Sequence, residues 1–222
     1  MTRKKKIVLC SLSGVVLLGF AGFYWAISYV PPFYRTEIGR ENSTKSQKDD
    51  VKSFTQKAAF VMEDLKYKED WTHEFRQSEI NSWLAAEIKK KFADLVPTGA
   101  EQPRIQFQED SLFMGFRYGF LIFKPVINLR IKPWITPEKR LAIEIEQFRV
   151  GLLPIPMDEI LQRIALEFEL DGGRVEWRRS EAGNDVMIVQ LGASKKHRSR
   201  LSGISIAEEK IRISGQAMRR KH

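Results

Sequence analysis

The chain has 222 residues, enough for one domain with a real hydrophobic core. Its single cysteine excludes an intrachain disulfide and any cysteine-based metal site. The net charge of +9 sits at the two ends, +4 in residues 1–6 and +7 in residues 195–222, so the body is near neutral, which argues against a wholly basic nucleic-acid-binding domain.

After Arg3-Lys4-Lys5-Lys6 the chain runs uncharged through residues 7–30. A helix of that length reaches about 36 Å, enough to cross a ~30 Å hydrocarbon core with some tilt. The basic cluster before it favours a cytoplasmic N-terminus, and Phe23, Tyr24 and Trp25 fall where an interfacial aromatic belt belongs. We therefore expect a single-pass signal anchor in the cytoplasmic (inner) membrane with the remaining domain extracytoplasmic. The rival is a cleaved signal peptide, for which Ala26-Ile27-Ser28 supplies small residues, although the apolar run exceeds a usual secretory core. Cys10 follows Lys6 too closely for a lipoprotein site, and Gly22 with Ala26 is a weak small-xxx-small dimerisation signal.

Pro31-Pro32 ends the span. The expected organisation is a cytoplasmic basic tail (1–6), a transmembrane helix (7–30), a polar stalk (31–47), an extracytoplasmic α+β domain (48–215) and a basic C-terminal tail (216–222). Val51, Phe54, Ala58, Val61, Met62 and Leu65 recur at spacings of mostly three and four, which predicts an amphipathic helix over 48–67. A short strand over 71–75 leads to Ser78, a candidate N-cap with Glu79 in the first turn. The next helix carries Ile80, Trp83, Leu84, Ile88, Phe92 and Leu95, and ends at Pro97 and Gly99.

From Ile105 the period becomes two. Ile105 and Phe107, then the even residues 112–120, then Ile127, Leu129 and Ile131, then residues 141–150 alternate as an antiparallel meander, with a turn at 136–139 and a break near Gln147 that reads as a bulge. A helix over 157–168 follows, then strand pairs around 181–185 and over 201–215. The fold class is thus α+β: an N-terminal transmembrane helix, then a curved antiparallel sheet packed with two or three helices.

Enzyme signatures are missing: there is no G-x-S-x-G, Walker A loop, H-E-x-x-H or G-x-G-x-x-G. Glu144 and Glu146 share a strand and read as a solvated face, His73 as a structural histidine, and Trp134 as core or rim packing. We expect no catalytic residues, no metal, no cofactor and no nucleic-acid partner. The positive signal is a surplus of large apolar side chains over 112–123, where Leu121, Ile122 and Phe123 break the alternation and make both faces apolar. Such a face is either covered core or the lining of an apolar groove.

The segments Phe75-Arg76-Gln77-Ser78-Glu79-Ile80-Asn81-Ser82-Trp83-Leu84, Gly151-Leu152-Leu153-Pro154-Ile155-Pro156, and the pairs Ile204/Ile206 and Ile211/Ile213 before Gly215 are similar to stretches of YpmS-like single-span bacterial membrane proteins. More loosely the chain resembles tubular lipid-binding (TULIP-like) domains. The resemblance implies a long curved sheet around a helix with a groove for lipid tails; it carries over no catalytic residue. On this reading Phe113, Phe116, Tyr118, Phe120, Ile127 and Leu129, with Trp83 and Ile88, line a site for membrane lipid or another amphiphile. Asn81 is expected to hydrogen-bond backbone. Lys195, Lys196, Arg198, Arg200, Arg219, Arg220 and Lys221 are candidate contacts to an anionic surface, envelope polymer or protein partner. The competing reading is a non-enzymatic structural or interaction protein of the cell envelope with a solid core.

Overall fold

A computed structural model describes residues 3–40, 44–91, 99–119, 124–156, 174–190 and 199–217. Four helices and ten strands are described: α1 (Arg3–Ser28), α2 (Pro32–Gly39), α3 (Thr44–Tyr67), β1 (Trp71–Arg76), α4 (Gln77–Lys91), β2 (Ala100–Gln108), β3 (Ser111–Tyr118), β4 (Val126–Ile135), β5 (Leu141–Val150), β6 (Leu153–Pro154), β7 (Arg174–Arg179), β8 (Asp185–Gln190), β9 (Ser199–Ala207) and β10 (Lys210–Ala217). The expected helix over 157–168 lies outside the described residues. The protein is α+β, with a seven-stranded sheet in the order β2-β3-β4-β5-β8-β7, β6 pairing on β5, and a three-stranded sheet β1-β10-β9. Every pairing is antiparallel.

The chain turns where its residues dictate. Pro31-Pro32 separates α1 from α2, Pro32 taking the first helical position, where its missing N–H costs nothing. Among the described residues no single helix is long and apolar enough to cross a membrane; Ser13–Ser28 and Pro32–Gly39, bent by 50° at their junction, pass that test only as a pair. Along α1, Val15, Leu17, Leu18, Phe20, Phe23 and Trp25 are exposed. The 136–139 turn forms as expected, Lys139 donating from its backbone N to Thr136 O at 2.8 Å. The break near Gln147 is a bulge: β4–β5 register slips between Arg130 and Ile131, leaving Glu146 as the extra residue, and Glu146 pairs with Arg130 at 2.6 Å.

The stretch expected as a stalk contains α2, which packs on the sheet. Tyr34 has no exposed surface and sits over Gly115, and Phe33 meets Phe113 with ring centroids 5.4 Å apart. A side chain at Gly115 would lie 2.9 Å from the Tyr34 ring, so the glycine is what lets α2 approach. On the opposite face Ile105, Phe107 and Ile206 form a buried core, with Ile80 and Leu84 of α4 and Leu112, Met114, Ile204 and Ile211 against it. A second cluster joins Ala142, Val186 and Ile188, with Trp134 packed on it.

Candidate functional site

Cross-strand pairs share a face of a sheet, so register assigns the expected site residues. Phe116 stands opposite Ile127, Met114 opposite Leu129, and Leu112 opposite Ile131. Across β4 the same row continues to Val150, Phe148 and, past the bulge, Ile145 and Ile143, and from Ile143 to Met187. This is a continuous apolar surface across β3, β4, β5 and β8. Its β2 end is closed by α4, and β9 of the smaller sheet packs over it as far as β4, whereas Phe116, Ile127, Leu129, Ile131, Ile145 and Phe148 are only half-buried.

Of the residues expected to line one groove, Phe116, Tyr118, Ile127 and Leu129 do share this face. Phe113 does not: it pairs with Arg130 on the opposite face, beneath Phe33, with the Arg130 guanidinium 5.0 Å from its ring centre. The cause is the strand's period of two, which sends Phe113 away from its even-numbered neighbours. Trp83 packs between helices, its ring 5.0 Å from that of Phe54 on α3. Ile88 is half-buried on α4. Phe120 and the apolar residues 121–123 lie outside the described residues, as do Lys195, Lys196, Arg198, Arg219, Arg220 and Lys221; Arg200 is exposed on β9.

The apolar surface begins where α1 ends. Val150 and Ile127 are paired at one end of β4 and β5, and the next residue, Gly151, lies against the carbonyls of Ala26 and Ile27. Gly151 has φ +58 and leaves no room for a Cβ there. Leu152 N donates to Ala26 O at 2.9 Å, Gly151 N to Val126 O at 2.9 Å, and Asn128 Nδ2 to Gly151 O at 3.1 Å. At the same end of α1, the Trp25 and Tyr29 rings lie tilted to each other with centroids 6.4 Å apart. The ten residues of β4 then carry the surface about 33 Å away from this junction.

A second, polar region surrounds the first turn of α4. Glu79 is fully buried, its carboxylate taking Lys57 Nζ at 2.9 Å, Ser53 Oγ at 2.7 Å, and the Arg76 backbone N at 2.9 Å, the last in the manner of a capping box. Burial opposes the charge, but the donors, Lys57 foremost, outweigh it and hold the pKa down to about 2. Two residues on, Asn81 accepts from Ile105 N at 2.7 Å and donates to Ile105 O at 2.9 Å, while Gln77 Oε1, two residues before Glu79, accepts from Phe107 N at 2.6 Å. These two amides take the place of a neighbouring strand along the free edge of β2. Asn81 also donates to Glu37 Oε2 at 3.0 Å, a buried carboxylate whose pKa is raised, by burial first, against the pull of Arg40.

Between α2, α4 and the β9–β10 turn lies a cavity of about 540 Å³ bounded by Glu37, Arg40, Arg76, Asn81, Arg104 and Lys210 among others. A second, of about 610 Å³, adjoins it around Gln106, Gln108 and Glu208. Neither is bounded by the expected groove residues, so the apolar surface is a sheet face and not one of these two hollows. Elsewhere His73 Nε2 lies 2.9 Å from Asp64 Oδ2, tying β1 to the end of α3. Burial works against ionised Asp64, but hydrogen bonds from Lys68 and His73 outweigh it and lower its pKa. No group of three or more His, Cys, Asp or Glu is placed to hold a metal ion among the described residues.

The fold and these two regions define an α+β protein of two antiparallel sheets with an apolar N-terminal helix fastened to the larger one. No family model, no curated protein and no solved structure matches the chain.

Proposed function

We propose that α1 anchors the protein in the cytoplasmic membrane, N-terminus inside, and that the extracytoplasmic body binds lipid or another amphiphile along the apolar face of the large sheet. The observation that carries this reading is the continuity at Gly151: the half-buried row Ile127–Val150, Leu129–Phe148, Ile131–Ile145 starts at the very turn fastened to the end of α1. The uncovered apolar side chains of α1 and the Trp25–Tyr29 pair at its carbonyl end suit a helix in lipid with an aromatic interface. An acyl tail leaving the outer leaflet beside that end would meet apolar side chains at once. Burying ~10 methylenes at ~0.8 kcal/mol each gives a gross ~8 kcal/mol before ordering costs, enough for useful affinity.

The test is photo-crosslinking in native membranes with a lipid carrying a photoactivatable acyl chain, followed by peptide mapping on the full chain. Label is expected on the strands bearing Phe116, Leu129 and Phe148, and it is expected to fall when Leu129 is changed to Gln. Label confined to α1 would overturn the reading. A second reading, an envelope structural or interaction protein, draws on the polar lining of both hollows. In that case the apolar side chains of the sheet face are packed against protein, and no acyl label is expected on β3, β4 or β5.

A further inference from the structure

Arg104 is a buried guanidinium with no ion-pair partner among the described residues. It is 7% exposed and borders the 540 Å³ cavity. It stands on β2 just past a bulge, where Gln102 takes φ +51 and the register shifts between Glu101 and Arg104. The bulge leaves two carbonyls without ladder partners: Tyr34 Oη donates to Gln102 O at 2.8 Å, and Arg104 Nη1 donates to Pro103 O at 2.8 Å. That is the one hydrogen bond described for a guanidinium with five donors. Among the described residues no carboxylate lies within ion-pair distance of it.

Three of the four carboxylates on the cavity wall are engaged elsewhere. Arg40 spans Glu37 at 3.4 Å and Glu209 at 2.7 Å, and Lys210 lies 3.4 Å from Glu74. Arg76 is spent on Glu79 at 3.0 Å. Glu208 is exposed at the hairpin tip. None of the Arg104 nitrogens is both sealed from solvent and unpartnered, so its remaining N–H groups open onto the cavity, and a planar fork of donors matches an oxyanion in two parallel hydrogen bonds. The same wall carries the hydroxyl residues Ser78 and Ser82 of α4.

We infer that this cavity binds a phosphate ester, with Arg104 as its bidentate donor. The volume exceeds that of a free ion and leaves room for the esterified group. The inference is independent of the sheet-face reading, since the site is polar and the probes below include two that carry no acyl chain.

The full chain, purified in an uncharged detergent, is titrated with inorganic phosphate, glycerol phosphate and a short-chain phosphatidate at constant ionic strength. The readouts are thermal stability and the arginine Nε–H signals of nitrogen-labelled protein. A saturable rise in stability and a shift of the Arg104 Nε–H signal are expected. Arg104→Gln is expected to weaken binding about ten- to a hundredfold, with Arg104→Lys between it and the parent. Arg179→Gln, exposed on β7 and not on the cavity wall, is expected to leave binding unchanged. Much tighter binding of phosphatidate than of glycerol phosphate supports the inference with a lipid headgroup as the source; equal binding supports it with a soluble ester. If Arg104→Gln does not fold, the Arg104 signal of the parent decides. No saturable response, an unmoved Arg104 signal, or equal binding by a folded Arg104→Gln would overturn the inference.

Discussion

The backbone N–H of Leu152 hydrogen-bonds to the carbonyl of Ala26 at 2.9 Å, and this ties the last turn of α1 to the turn that closes β5. Helix carbonyls near a C-terminus have no partner within the helix, so the sheet supplies one. The helix is thereby fixed against the body and does not hang from a loose tether.

Gly151 makes that junction possible, and Gly151→Ala is expected to break it. Its φ of +58 strains any Cβ-bearing residue, and the added carbon would press on the Ala26 and Ile27 carbonyls, which are backbone and cannot swing aside. A loss of about 2–3 kcal/mol is expected in urea unfolding. Faster hydrogen exchange at Leu152 would show that the junction itself has opened, and an unchanged rate would show that it does not depend on Gly151.

Glu79 has its charge stabilised by folding. Its pKa of about 2 lies below the ordinary 4.5, so the stability it contributes is present above pH ~4.5 and is lost as pH falls through ~2. The shift corresponds to roughly 3 kcal/mol. Glu79→Gln is expected to lower stability at pH 7 by about 2–4 kcal/mol and to flatten the acid limb between pH 4.5 and 2. A pH series of denaturant midpoints for both proteins measures this; parallel curves would place the acid sensitivity elsewhere.

Asn81 seals the edge of β2. Asn81→Ala leaves the Ile105 N–H and C=O without the partners they have at 2.7 and 2.9 Å and removes a donor from buried Glu37. A cost of about 2–3 kcal/mol is expected from thermal unfolding. Asn81→Asp is expected to be at least as damaging, because it loses both donors and sets a second carboxylate beside Glu37.

Gly215 faces Trp71 across the β1–β10 pair, with the indole lying where a Cβ would go. The indole is also held by Trp71 Nε1 donating to Ser199 Oγ at 2.8 Å. Gly215→Ala is expected to displace the ring and cost about 2–4 kcal/mol, read as a shift in tryptophan emission together with a lower midpoint. Ser199→Ala is expected to cost about 1 kcal/mol with the ring left in place.

Local pattern carried much of this fold into the sequence. The spacing of Val51, Phe54, Ala58 and Leu65 marks α3, and the alternation from Ile105 to Val150 marks the meander, because each follows from the geometry of a single element. The bulge at Glu146 was visible as a break in that alternation. What escaped depends on distant partners. The segment around Tyr34 reads as polar chain, and α2 is held by Gly115, Phe113 and Gln102 far along the sequence. Its one local mark is Pro32 at the helix start. Glu79 reads as a first-turn acid; its burial comes from Lys57 and Ser53 on another helix.

The candidate surface was legible in the same uneven way. Phe116, Ile127 and Leu129 share a face because the period of two held through both strands and the register aligned them. Phe113 belongs with them by composition alone, and the same period excludes it. Arg104 carried no signal at all: an arginine beside a proline is ordinary in sequence, and only the bulge and the folding of α2 and α4 around it take it out of water.

The two amides that occupy the rim of β2 set a limit on self-assembly. Strand-by-strand stacking into a fibre needs two unsatisfied margins on every copy, and the larger sheet offers one at most. If copies join through that sheet, the union closes at a pair and propagation stops.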